Sequence, residues 1–134
     1  ARRIEGDTMR EIVNTSEAPK AIGPYSQAVK AKGFVFSSGQ IPLDPRSGEI
    51  VGSNASEQAV QVLENLKAVL EAAGSSLQDV VKITCFLDSI EDFGAVNEVF
   101  TRYFDGDYPA RSCLEVGALP KGALVEIEAI ALTK

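Results

Sequence analysis

Arg111, Cys113 and Glu115 stand at alternate positions of one extended run, and Glu126 and Glu128 stand at alternate positions of the next. Successive side chains of a strand point to opposite faces, so each set shares one face. A hairpin turning about Leu119 would set Arg111 opposite Glu126, and this is the register the spacing predicts. An arginine facing a carboxylate across two strands has an ordinary reading, a cross-strand ion pair contributing about 0.2–1 kcal/mol. It also has a chemical reading. The planar guanidinium fork grips an incoming carboxylate while Glu126 moves a proton or directs a water molecule, with Glu128 as a second, solvated charge.

The chain contains no histidine. That removes Ser-His-Asp triads, Cys-His dyads and the commonest metal ligand, leaving carboxylates, Arg, Lys, Tyr, Cys and main-chain groups to do any chemistry. Cys113 shares its face with Arg111, which would lower a thiol pKa, yet no base accompanies it and a thiolate mechanism is not expected. Tyr25 follows Gly23-Pro24, a rigid turn that presents its ring and hydroxyl; the alternative is a ring lying on the core with its tip in water. Ser38-Gly39-Gln40 ends a strand where glycine lets a ligand approach the backbone, or where the chain simply turns. Asn97 interrupts an apolar helix face beside Val96, pointing into a crevice or bonding to nearby backbone. Neither glycine-rich phosphate loop is present, and no paired or closely spaced ligand set suggests a metal.

With 134 residues, 45% of them hydrophobic and 24% charged, the chain has the composition of one globular domain with a core of its own. The net charge of −6 disfavours a nucleic-acid partner, because phosphate contacts need clustered cations and the only basic doublet is Arg2-Arg3. Residues 1–8 lack hydrophobic periodicity and are expected to be an added or disordered N-terminal extension, with residues 9–134 forming the domain. Cys85 and Cys113 read as two half-buried, reduced thiols. No apolar run reaches membrane-spanning length and no leader pattern follows Met9, so a cytoplasmic protein without a membrane partner is expected.

These side chains need a frame. Strands are expected at 10–14, 26–32 and 34–38, the last two divided by Gly33 as a hairpin. Ala59, Val62, Leu63, Leu66, Val69, Leu70 and Ala73 fall on one helical face, with Asn54 and Glu57 as a capping box and Gly74 as the stop. Val80 to Leu87 reads as a central strand. A second helix opens at Ser89 and carries Phe93, Val96, Phe100, Tyr103 and Phe104. Strands at 110–116 and 123–132 complete a β-β-β-α-β-α-β-β order. This is an α+β fold with two helices on one face of a mixed sheet, whose other face meets solvent or further subunits.

Ala21-Ile22-Gly23-Pro24-Tyr25-Ser26-Gln27-Ala28, Ser38-Gly39-Gln40-Ile41-Pro42, Pro109-Ala110-Arg111-Ser112-Cys113 and Val125-Glu126-Ile127-Glu128-Ala129 resemble, in order, the motifs of the reactive intermediate deaminase (RidA, YjgF-type) family. The resemblance covers residues 9–134. It implies a chorismate-mutase-like fold assembled as a homotrimer with clefts between subunits. It also implies cofactor-independent hydrolysis of enamines and imines shed by pyridoxal-phosphate enzymes, such as 2-aminoacrylate and 2-iminobutanoate, to 2-oxo acids and ammonia. On that resemblance Arg111 binds the substrate carboxylate and Glu126 positions or activates water. Tyr25, Ser38, Gly39, Asn97 and, through its main chain, Cys113 complete the cleft. The competing expectations are a non-catalytic trimer that binds small carboxylates or acts as a chaperone and, disfavoured by the charge, a ribonuclease or translation inhibitor.

Overall fold

The computed structural model describes residues 9–134; the expected extension at 1–8 lies outside the described residues. Six strands form one sheet: β1 (Glu11–Val13), β2 (Ala28–Ala31), β3 (Phe34–Ser37), β4 (Val80–Leu87), β5 (Ala110–Glu115) and β6 (Val125–Leu132). Their spatial order is β1-β2-β3-β6-β4-β5. Helices α1 (Ala55–Ala72) and α2 (Phe93–Tyr103) complete the expected element order.

α1 forms where the apolar stripe predicts it, and Ala59, Val62, Leu63, Leu66, Val69 and Leu70 are fully buried against the sheet. Asn54 caps it by accepting from the Glu57 N–H at 2.8 Å. The reciprocal arm differs from an ordinary capping box, because the Glu57 carboxylate reaches back to the N–H and hydroxyl of Ser53. Those bonds hold its pKa below the usual glutamate value. Gly74 takes the left-handed conformation that ends the helix (φ +80°). α2 is preceded by one 3₁₀ turn, 90–92, whose entry Ser89 caps at the Glu91 N–H. It buries Val96, Val99 and Phe100 in the same core.

The helices cover one face only. Val35, Ile83, Cys85, Leu87, Val125, Ile127 and Ala131 point into that core and are fully buried. On the opposite face Ile12, Val29, Phe36 and Ile130 line up in register across four strands. Phe34 and Leu132 form a second apolar pair beside them. Ile12, Phe36 and Leu132 are each about 45% exposed, an apolar surface larger than scattered residues would make.

The expected hairpin between the last two strands does not form. β5 pairs in parallel with β4, and β6 pairs antiparallel with β4 on its other side and with β3 beyond. Arg111 therefore lies beside Ile83 and Glu126 beside Phe86, not opposite one another. The reason is the crossover through α2. A parallel return from β4 delivers β5 to the outer edge, and the connection 116–124 must then step over β4 to reach the centre. The eight apolar-alternating residues of β6 are long enough to fill that central slot.

Candidate functional site

Alternation along β6 buries Val125, Ile127, Ala129 and Ala131 under the helices and leaves Glu126 and Glu128 on the open face, as the sequence pattern requires. β3 approaches them through an irregularity. Phe36 pairs with Ile130 and Gln40 with Ile127, so three residues, 37–39, oppose two. The Ser37 hydroxyl accepts the Ala129 N–H at 2.9 Å within this bulge, and the ladder resumes with reciprocal bonds between Gln40 and Ile127 at 2.8 and 3.0 Å. The bulge sets Gly39 directly against the Glu126 carboxylate: a Cβ built on Gly39 would overlap Glu126 Oε2. The glycine is required by this close approach rather than by any unusual φ.

Tyr25 closes onto the same place. Its N–H donates to the Gly23 carbonyl at 2.8 Å, and its hydroxyl accepts the Ile22 N–H at 3.2 Å, which fixes the turn expected at Gly23-Pro24. Ser38 donates its hydroxyl to the Ser26 carbonyl at 2.5 Å. Tyr25, Ser38, Gly39 and Glu126 thus line one hollow of about 530 Å³, together with Ile22, Ile41, Pro120 and Glu128. Burial pushes the Glu126 pKa above the ordinary glutamate value, and the Glu128 charge pushes it further the same way.

Arg111 is on the other face. Its in-register neighbour Ile83 is buried under the helices, and its guanidinium carbon lies 5.2 Å from the Phe93 ring centroid and 5.1 Å from that of Phe100. Arg111, Asn97, Phe100, Thr101, Tyr108 and Pro109 line a second hollow of about 460 Å³, which opens off the edge strand β5. Among the described residues no carboxylate forms an ion pair with Arg111; the one such pair joins Lys134 and Asp79. Cys113 points the same way but packs against the core beside Cys85, its in-register partner, and lines neither hollow. Both thiols are free. Cys85 is fully buried, contrary to the half-buried expectation, and burial pushes its pKa up so that it stays a thiol.

The seven candidate residues therefore fall into two groups: Tyr25, Ser38, Gly39 and Glu126 on the open face, and Arg111, Asn97 and Cys113 on the helix face. Phe93 and Phe100 belong to the apolar stripe of α2, and the only sequence signal of their contact with Arg111 is the spacing Phe93, Asn97, Phe100 on one helix face. A larger hollow of about 630 Å³ lies over α1, lined in part by Glu17, Glu64, Lys67 and Asn65. The Asn65 amide there is already bonded to the Ile41 and Leu43 carbonyls, and no feature of that surface converges on a reacting atom. Among the described residues no cluster of three or more potential metal ligands occurs, and no helix is long and apolar enough to cross a membrane.

Comparison with known proteins adds relatives along nearly the whole chain. The family model described as endoribonuclease L-PSP matches residues 15–133. A RutC family protein of Pyrococcus horikoshii is 56% identical, over 92% of this chain and 98% of that one. A Mus musculus protein named 2-iminobutanoate/2-iminopropanoate deaminase is 49% identical over 92% of each. The crystal structure of E. coli TdcF with bound serine superposes with a TM-score of 0.88 at 46% identity, covering 92% of this chain and 99% of that one. The fold, the two-helix, six-stranded architecture and this similarity agree: the chain belongs to the endoribonuclease L-PSP family, which is the RidA family its motifs resemble.

Proposed function

We propose that this protein is an imine deaminase that hydrolyses 2-iminobutanoate, 2-iminopropanoate and their enamine tautomers, the intermediates released by pyridoxal-phosphate enzymes, to 2-oxo acids and ammonia. The observation that carries this reading is Arg111: a cation in an apolar-walled hollow with no carboxylate partner among the described residues. Such a group is free to receive a small acid, contributing about 1.5–3 kcal/mol as a charge-assisted contact. The mouse relative's name and the serine bound to TdcF support a small amino- or imino-acid ligand. The two acids of the other hollow, Glu126 and Glu128, would repel a polyanion, and the net charge of −6 works in the same direction.

The chemistry asks little beyond orientation and proton handling, since a C=N carbon is already electrophilic. Arg111 holds the substrate carboxylate. Glu126, ionised, takes a proton from water as the oxygen attacks the imine carbon. It then returns that proton to nitrogen, giving the carbinolamine, and relays the carbinolamine hydroxyl proton to the same nitrogen, so that the C–N bond breaks and ammonia leaves as the carbonyl forms. Acid–base help of this kind contributes about 10²–10⁴-fold. An imine and water thus become a 2-oxo acid and ammonia with no redox change and no cofactor.

Arg111 and Glu126 lie on opposite faces of one sheet, so a single copy does not present both to one substrate. The proposed homotrimer resolves this by placing the Arg111 hollow of one copy, at the β5 edge, against the Glu126 hollow of the next. The exposed apolar face around Phe36 and Leu132 supplies a surface for self-association.

Three outcomes follow. Arg111→Ala is expected to abolish 2-iminobutanoate hydrolysis in an assay coupled to a dehydratase, with melting temperature and light-scattering mass unchanged, whereas Glu126→Gln hydrolyses slowly but binds 2-oxobutanoate nearly normally. Turnover retained in the first, or binding lost in the second, contradicts the assigned roles, and wild-type turnover no faster than buffer leaves only a carboxylate-binding protein. Gly39→Ala is expected to displace the Glu126 carboxylate and lower kcat about ten- to hundredfold without lowering the melting temperature; full activity would contradict the close approach. The third concerns pH. Because the Glu126 pKa is raised, the acid limb of kcat/KM should have its midpoint above the ordinary glutamate range, and Glu128→Gln should move it down. A raised folded-state pKa favours folding below the unfolded value, and that contribution is lost as pH rises through the folded one. Glu126→Gln should therefore raise the melting temperature at neutral pH and leave it unchanged in acid; the reverse pattern would contradict the shift.

A further inference from the structure

The unpaired state of Arg111 raises the question of what holds it. A half-buried guanidinium ordinarily takes a carboxylate counter-ion, and here none of the described residues supplies one. Two phenyl rings stand in that place, at 5.2 Å (Phe93) and 5.1 Å (Phe100) from the guanidinium carbon. Both lie on the stripe of α2 that also carries Asn97, at the spacing i, i+4, i+7. Phe100 is buried and stacked on Phe104, with centroids 5.5 Å apart and planes 21° apart, so the helix core fixes its position. Phe93 differs: it is 38% exposed, at the start of α2, and does not belong to the buried core.

We propose that Phe93, with Phe100 behind it, is a positioning residue that holds the Arg111 fork ready for a substrate carboxylate by cation–π attraction. The inference rests on the imine-deaminase reading, which supplies the carboxylate. An aromatic face attracts a cation through its quadrupole without offering an oxygen to the N–H groups. A glutamate in the same position would occupy the donors, and each substrate would have to displace it. The rings also keep water off one side of the guanidinium, which strengthens the charge-assisted contact that replaces it. Asn97, between the two rings on the helix, lines the same hollow.

The test weakens the ring's quadrupole while preserving its shape. Mono-, di- and trifluorophenylalanine are incorporated at position 93 of the full chain, and 2-oxobutanoate binding is followed by calorimetry. Phe93→Tyr and Phe93→Leu are measured alongside. The expected result is a stepwise weakening across the fluorine series to about three- to tenfold at trifluoro. KM for 2-iminobutanoate should rise in parallel while kcat changes less and the melting temperature stays constant. Tyr should preserve binding, and Leu should match trifluoro. A flat fluorine series in a protein whose wild type is active and whose Arg111→Ala is not overturns the positioning role and leaves the proposed function standing. Wild-type protein that neither binds 2-oxobutanoate nor hydrolyses the imine overturns both.

Discussion

Burial of Val125, Ile127, Ala129 and Ala131 beneath α1 and α2 forces the intervening Glu126 and Glu128 to the far side of the sheet. The same rule, applied one strand beyond β4, turns Arg111 toward the helices because it stands beside buried Ile83. A two-sided sheet therefore separates Arg111 from Glu126 and Glu128, which would otherwise neutralise it. Had the last two strands formed a hairpin, Arg111 and Glu126 would have made a cross-strand ion pair, and any anionic ligand would have had to break it. Separation within one copy leaves each group unpaired for a site completed, in the proposed reading, by a neighbouring copy.

The bulge at residues 37–39 carries the other half of the design. One extra residue on β3 lets the strand pass close to Glu126 before it rejoins β6 at Gln40, and the absence of a side chain at Gly39 lets the carboxylate lie against the backbone. That proximity shields part of the carboxylate from water, and Glu128 two residues on adds a like charge. Together they raise the proton affinity of Glu126 toward the range in which an acid can both accept and return a proton. The local backbone irregularity and the electrostatics of the acid are thus two results of one packing arrangement.

Much of this was legible in the chain. The stripe from Ala59 to Ala73 names the helix and its buried face, Asn54 and Gly74 mark its ends, and alternation along residues 125–132 assigns each side chain to a face. The groups with chemical potential, Arg111, Glu126, Tyr25, Gly39 and Asn97, announce themselves by type and by neighbouring turns. Strand pairing did not follow. Nearness in sequence favours a hairpin between 110–116 and 123–132, whereas the outcome depends on β4 pairing with β5 along one edge and β6 along the other, which is a property of the whole sheet. The connection 116–124, with Pro120 within it, is longer than a tight hairpin needs, and that was the available hint. The phenyl contacts of Arg111 were hidden for a related reason: they join α2 to β5 through space.

The claim that Arg111 and Glu126 serve one cleft from different copies is tested most directly by mixing subunits. Arg111→Ala and Glu126→Gln proteins, each inactive or nearly so, are unfolded, combined in equal amounts and refolded together. A cleft shared between copies is intact wherever an Arg111-bearing subunit meets a Glu126-bearing one, so random assembly should restore about a quarter of wild-type 2-iminobutanoate hydrolysis. Activity in the mixture no greater than the average of the two parents would contradict the shared cleft.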